Sequence, residues 1–384
     1  MWICDTRLPD GSQADVQIET DRIQAIVPPT NRTGDRRGGA LTPGLAEPHV
    51  HLDAALLGAR APNRSGTLRE GIANWAMLRA GLTADDVNER ASATLQQYRR
   101  HGVFRVRTHV DTGSAVAVDA LLALRDVERT RGTELQVVAF PQEGILRAPQ
   151  RRRAWEDAVA KGCDAVGAIP HFERTADEGH ASVRLAFDLA ERHGLPVDLH
   201  CDETDDPWSR NLEVACAEAI DRGWKGRVVA GHCTALHGMP GPYVAKVCEL
   251  VAEAGVQVVV NPLDNTVLQG RWDTGPVRRG LAPVAALWTA GASVGIGHDS
   301  VVDPWYRLGT ANLLDPAWLL VHVGHLTSEE QMGRVWRALW DDNHRAFGGA
   351  PVPRVGERGP WLWWADADPV EILRTRALPE RVGA

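Results

Sequence analysis

The chain repeats one unit: a short β-branched run that stops at a polar residue, then an amphipathic helical stretch, at a period of roughly thirty residues. The expected strands are Leu45–His51, Phe104–Val110, Leu135–Phe140, Ala165–His171, Pro196–His200, Arg227–His232, Val256–Pro262 and Ser293–His298. Between them the apolar spacing predicts helices over Ala84–Arg100, Ala117–Arg129, Arg151–Lys161, Ala181–His193, Leu212–Arg222, Tyr243–Ala254 and Val277–Ala290. Thr83 and Asp86 give the first long helix a capping-box-like start, and Gly102, Gly194, Gly255 and Gly291 stand where helices should stop.

Such an alternation forms either a closed (β/α)8 barrel or an open doubly wound sheet. The polar residues at the strand ends decide between them. His49 and His51 close the first run, His200 the fifth, His232 the sixth and Asp299 the eighth. An open sheet binds ligands at a single switch point between two strands, whereas a barrel gathers every C-terminal strand end around one mouth. The expected fold is therefore α/β: a TIM-like barrel over residues 41–347. Residues 1–40 and 348–384, with strand-like pieces such as ADVQIE and GPWLWW, are expected to meet as a small β-sandwich. Alternation along a strand points Trp361, Trp363 and Trp364 toward packing against the barrel rather than toward an aromatic binding patch.

A lone histidine is usually packed or hydrogen-bonded. Five suitable residues, each where an apolar run ends, instead suggest a metal site. In His-x-His the side chains lie two residues apart, so on a strand they share a face and one ion. Neutral imidazoles and a carboxylate suit Zn2+ or Fe2+, with a position left for water. Glu203, three residues beyond His200, is placed to move protons between that water and a substrate. His232 is read as the residue that orients the water, rather than as a fourth imidazole ligand. The chemistry expected is that of a mononuclear metal hydrolase with one divalent ion per chain. Ser293 lies in a G-x-S-x-G match, but that match leads into a strand rather than a nucleophile elbow, so its role is structural.

The net charge of −8 and the brief arginine runs, Arg36–Arg37 and Arg151–Arg153, argue against a nucleic-acid partner. The N-terminus reaches Asp5 too soon for a signal peptide, and no apolar run approaches membrane-spanning length. A cytoplasmic location without membrane partners is expected, with homo-oligomerisation left open. The six cysteines form no C-x-x-C pair and read as free, buried thiols. Cys201 follows His200 and so faces the helices if His200 faces the site.

The motifs PGLAEPHVHLD, SGTLREGI, VRTHVD, VVAFPQEGI, VGAIPHFE, DLHCDE, HCTALH, NPLDN, LQGRWDT and GHDSVVDPWYRLGTANLL run in order from Pro43 to Leu314. Together they resemble the bacterial cytosine deaminase family of the amidohydrolase superfamily. The resemblance implies an amidohydrolase barrel with one metal ion, iron or zinc. It implies hydrolysis of an exocyclic amine from a nucleobase-like small molecule, giving an oxo-pyrimidine and ammonia. On this resemblance His49, His51, His200 and Asp299 hold the metal, and Glu203 shuttles a proton to the ring nitrogen. His232 polarises the water, and Asp299 accepts its proton and passes it to the amine. Gln142 reads the carbonyl and ring nitrogen, while Leu68, Phe140 and Trp305 line the pocket.

The chain departs from that pattern at Ser300, where the family reads His-Asp-Asp. The expectation is a neutral, roomier wall that accepts cytosine carrying a 5-substituent, such as 5-methylcytosine, with Ser300 as the specificity residue. The family's closing turn and strand are not evident after Arg374. The alternatives are another aminated heterocycle (isoguanine or creatinine) or a hydantoinase-like cyclic amide hydrolase. The two-metal hydantoinase class carries a bridging lysine late in the barrel, which LQVVAFPQEG and AVGAIPHFE lack. A catalytically silent barrel used for binding would be expected to have lost a ligand or the proton-transfer acid; all are present.

Overall fold

The computed structural model describes residues 1–383. Eight parallel strands form in sequence order: β1 (Leu45–Val50), β2 (Val103–Asp111), β3 (Glu134–Phe140), β4 (Ala165–Ala168), β5 (Val197–Cys201), β6 (Val228–His232), β7 (Gln257–Val260) and β8 (Val294–Ile296). Each pairs with the next. Beyond the formal strand ends, a parallel bridge between Val50 and Asp299 joins β8 back to β1 and closes the barrel. The closure is made by backbone bonds from His51 to Asp299 (3.1 Å) and from Asp299 to His49 (2.9 Å). It therefore falls among the residues expected to bind metal.

β4, β7 and β8 stop earlier than the apolar runs suggest, and prolines end the first two. After β4, Pro170 opens a 3-10 turn (Pro170–Phe172) because it has no N–H for the ladder. After β7, Pro262 occupies the first position of a helix (Pro262–Leu268), where a missing N–H costs nothing. The helix expected over Val277–Ala290 is confined to Val284–Thr289, because Gly280 adopts φ +69° and Pro283 precedes the helix. Thr83 accepts from the Asp86 amide as expected, and the four stop glycines all have positive φ. Helices over Leu68–Arg79, Leu314–Val323 and Glu329–Trp340 were not anticipated.

The terminal segments join in one mixed sheet. Its order runs Glu380–Val382, Trp361–Trp364, Ala40–Pro43, Trp2–Arg7, Gln13–Glu19 and Arg22–Val27, with Arg36–Arg37 beside Trp2–Arg7. The closing strand not evident from the sequence is thus present, as Glu380–Val382. Alternation divides the tryptophans. Trp364 and Leu362 pack into the barrel core, while Trp361 and Trp363 pack with Ile3, Val16 and Leu41 in the sheet's own core. The six cysteines are free and buried, and Ser293 donates to Asp342 (2.9 Å) away from the mouth. Among the described residues no helix is long and apolar enough to cross a membrane.

Candidate active site

At the C-terminal rim the backbone departs from strand geometry at several residues. Asp202, His232, Cys233 and Asp299 all adopt positive φ (51–69°), a conformation costing non-glycine residues about 1–3 kcal/mol each. That strain is concentrated around one point. The His51 Nε2 lies 3.1 Å from His200 Nε2, and His49 Nε2 and His51 Nε2 each lie 3.5 Å from Asp299 Oδ1. Donor atoms about 2.1 Å from a shared ion stand about 3.0–3.4 Å apart, so these separations suit one small divalent cation. Unpartnered buried nitrogens gather here too: both ring nitrogens of His49 and Nδ1 of His109 and His200 have no hydrogen-bond partner. His51 Nδ1 faces the His109 carbonyl at 3.0 Å. A carbonyl only accepts, so Nδ1 carries the proton and Nε2 presents its lone pair to the centre.

Proximity alone groups the donors as His49–His109–His200 and His49–His232–Asp299, omitting His51. His109 Nε2 is committed to Asp198 (3.1 Å), which also binds Arg107 (2.9 Å), and its ring stacks on His49 at 4.0 Å. This buried layer beneath the centre holds His49 in place. His232 is fixed from the β7 side by the Asn261 and Asn265 amides (3.3 and 3.1 Å from Nδ1). Asn265 also donates to Glu203 Oε1 (3.3 Å), so one amide positions both the expected water-orienting histidine and the proton-transfer acid.

Above these groups opens a cleft of about 310 Å³, part of it open to solvent, lined by Leu68, Gln142, Glu203, Ser300 and Trp305 among others. Gln142 makes no side-chain hydrogen bond among the described residues and lines the cleft. Trp305 stands 6.0 Å from the His51 ring, and the helix Leu68–Arg79 crosses close above it. A Cβ on Gly71 would meet the Trp305 ring at 2.4 Å, so only glycine permits that approach. Phe140 is not part of the wall: it stacks on His200 at 3.9 Å and fixes that ring from behind. A larger cavity of about 1310 Å³ lies near the N-terminal strand ends, beside Arg227, Val228 and Gln257, away from these donors.

The amidohydrolase family model matches residues 64–340. The chain belongs to the amidohydrolase family. Over its full length this amidohydrolase is similar to 5-methylcytosine deaminase from Klebsiella pneumoniae liganded with 5-fluorocytosine, with TM-score 0.93 and 36% identity, covering 96% of that chain. N-isopropylammelide isopropylaminohydrolase from Burkholderia multivorans gives TM-score 0.82 at 25% identity, covering 100% of this chain and 96% of that one. Pterin deaminase from Rhizobium rhizogenes is 25% identical over 365 residues, 91% of this chain and 80% of that protein. The amidohydrolase is thus cytosine deaminase-like and metal-dependent, a deaminase acting on C–N bonds of the cyclic-amidine type.

Burial sets the protonation of its site. Desolvation, reinforced by neighbouring histidines, holds His49 and His200 well below the usual imidazole range and pushes His51 down to about 3. His232 is lowered by the same causes. All four stay neutral, the form a metal or a water needs. Burial pushes Glu203 up to about 8, against the Asn265 hydrogen bond. Asp299 is raised by burial and by Asp264, a shift that a divalent cation beside it would oppose.

Ser300 does not stand alone at that wall. Ser300 Oγ donates to Asp264 Oδ2 at 2.5 Å, and Asp264 lines the cleft. The carboxylate absent at position 300 is supplied from the helix after β7. Asp264, Asn261 and Asn265 were present in NPLDN, and His109 in VRTHVD, but no role was read from them. The available signal was position: both motifs sit at C-terminal strand ends, as the assigned residues do.

Proposed function

We propose that this amidohydrolase removes the exocyclic amine from cytosine or a 5-substituted cytosine such as 5-methylcytosine, releasing ammonia and the oxo-pyrimidine. The observation that carries this reading is the full-length likeness at 36% identity to 5-methylcytosine deaminase, together with a cleft that opens above one converging donor set.

His49, His51, His200 and Asp299 would hold one Fe2+ or Zn2+ ion. When bound, the ion supplies Lewis acidity that lowers the pKa of a water toward neutrality. His232, held by two asparagines, orients that water toward the ring carbon bearing the amine. Glu203 delivers a proton to the adjacent ring nitrogen. Asp299 accepts the proton left on the added oxygen and returns it to the amine. The C–N electron pair leaves with nitrogen as ammonia, and the added oxygen becomes the carbonyl. Gln142 reads the carbonyl and ring N–H at the opposite edge, while Leu68 and Trp305 cover the ring. Ser300 lies beside the departing group and anchors Asp264.

The test is ammonia release by metal-loaded enzyme from cytosine, 5-methylcytosine, isoguanine, creatinine and pterin. Turnover of the two cytosines above the other bases is the expected result. Preference for pterin or isoguanine would move the assignment to larger aminated rings, and hydrolysis of a cyclic amide without ammonia would move it to the hydantoinase class.

A further inference from the structure

Asp264 sits in the first turn of the helix Pro262–Leu268 and is 1% exposed. One oxygen, Oδ2, is held by Ser300 Oγ; the other, Oδ1, is buried and has no hydrogen-bond partner among the described residues. Among the described residues no lysine, arginine or histidine pairs with it, and its charged neighbours include the acids Asp303, Glu203 and Asp299. A buried carboxyl oxygen without a donor costs free energy that a ligand N–H would recover. Because Asp264 lines the cleft, that donor would come from the substrate.

Position around the barrel indicates which donor. Gln142 follows β3, whereas Asp264 follows β7, four strands away and so on the opposite side of an eight-stranded mouth. In a cytosine ring the edge opposite the N1–C2 carbonyl edge is C4–C5, which carries the exocyclic amine. Ser300, which holds Asp264, directly follows Asp299, the group that returns a proton to that amine in the function proposed above.

We propose that Asp264 is a substrate-binding residue whose free oxygen accepts a hydrogen bond from the exocyclic amine and holds the nitrogen as it departs. The inference rests on the proposed deaminase reading. Asp264 itself makes and breaks no covalent bond: the C–N pair leaves with nitrogen, whose extra proton comes from Asp299. The interaction discriminates by hydrogen-bond donation. A ring with hydrogen in place of the amine offers Asp264 nothing.

The test compares cytosine with 2-pyrimidinone, the same ring without the amine, as ligands of metal-loaded Glu203→Gln enzyme, by calorimetry. Asp264→Leu in that background should weaken cytosine binding several-fold more than 2-pyrimidinone binding, the scale of one lost buried hydrogen bond. Asp264→Asn, which keeps a carbonyl acceptor and the contact to Ser300, should lose less than Asp264→Leu. Equal losses on the two ligands, in whichever variant folds, would overturn the role of Asp264. If wild-type enzyme releases no ammonia from cytosines and the Glu203→Gln enzyme binds neither ring, the functional reading fails instead, and Asp264 with it.

Discussion

Ser300→Asp restores the residue expected at this position from the family resemblance, and the structure gives that substitution an unexpected outcome. The new carboxylate would stand where the Ser300 hydroxyl now donates to Asp264, both groups being about 1% exposed. Two carboxylates with oxygens about 3 Å apart repel by about 5 kcal/mol at an effective dielectric near 20. The pair escapes by sharing one proton. Keeping a proton on an ordinary carboxyl at neutral pH costs about 1.4 kcal/mol per pH unit above its pKa, or about 4 kcal/mol. Burial and Asp303 already raise Asp264, so part of that shift exists in the native protein. The net destabilisation should be about 2–4 kcal/mol near pH 8, a large fraction of ordinary net stability. The sign of its pH dependence follows from linkage. The folded variant holds a proton that the unfolded chain has lost, so its stability relative to wild type is greatest at acid pH and falls as pH rises. Urea unfolding near pH 5.5 and near pH 8 measures this, with Ser300→Asp/Asp264→Asn expected to recover most of the loss. A Ser300→Asp variant as stable as wild type near pH 8, or a double variant no better than the single, would refute the argument. For the same reason the single variant should lose activity on cytosine and 5-methylcytosine alike. Selective loss of the 5-substituted base should appear only in the double variant.

Metal analysis should find about one divalent ion per chain; chelation should abolish turnover, and His200→Ala should lose the ion. Glu203→Gln should keep fold and metal but lose at least about a hundredfold in kcat, the usual scale of lost acid–base catalysis. Glu203 is pushed up to about 8 and acts as the donor to the ring, so kcat/KM should fall as pH rises through about 8, a limb assigned to another group if Glu203→Gln retains it. Asp198→Ala strips the buried Arg107 and His109 of their shared partner and should cost about 3–5 kcal/mol in urea unfolding, with Asp198→Asn milder.

The barrel was legible because its evidence is local and repeated. Each strand is a β-branched run, each helix an amphipathic one, and the expected ligands mark the same end of each strand they close. A two-residue spacing is enough to set His49 and His51 on one face. The breaks were also local in cause, Pro170 and Pro262 ending strands and Gly280 and Pro283 shortening a helix, but the apolar pattern alone outweighed them. Contacts across the barrel were a different matter. Nothing in NPLDN announces that Asn265 holds both His232 and Glu203, or that Asp264 lies against Ser300, because those partners are 33, 62 and 36 residues away. The substitution at Ser300 read as a lost charge, since sequence treats positions singly. The pairing of β7 with β8 and the turn of the helix after β7 bring a second carboxylate to the same wall. The residue types and strand ends determined which chemistry the chain carries. Only the packing of distant strand ends into one mouth decided which hydrogen bonds orient it and what charge the substrate meets.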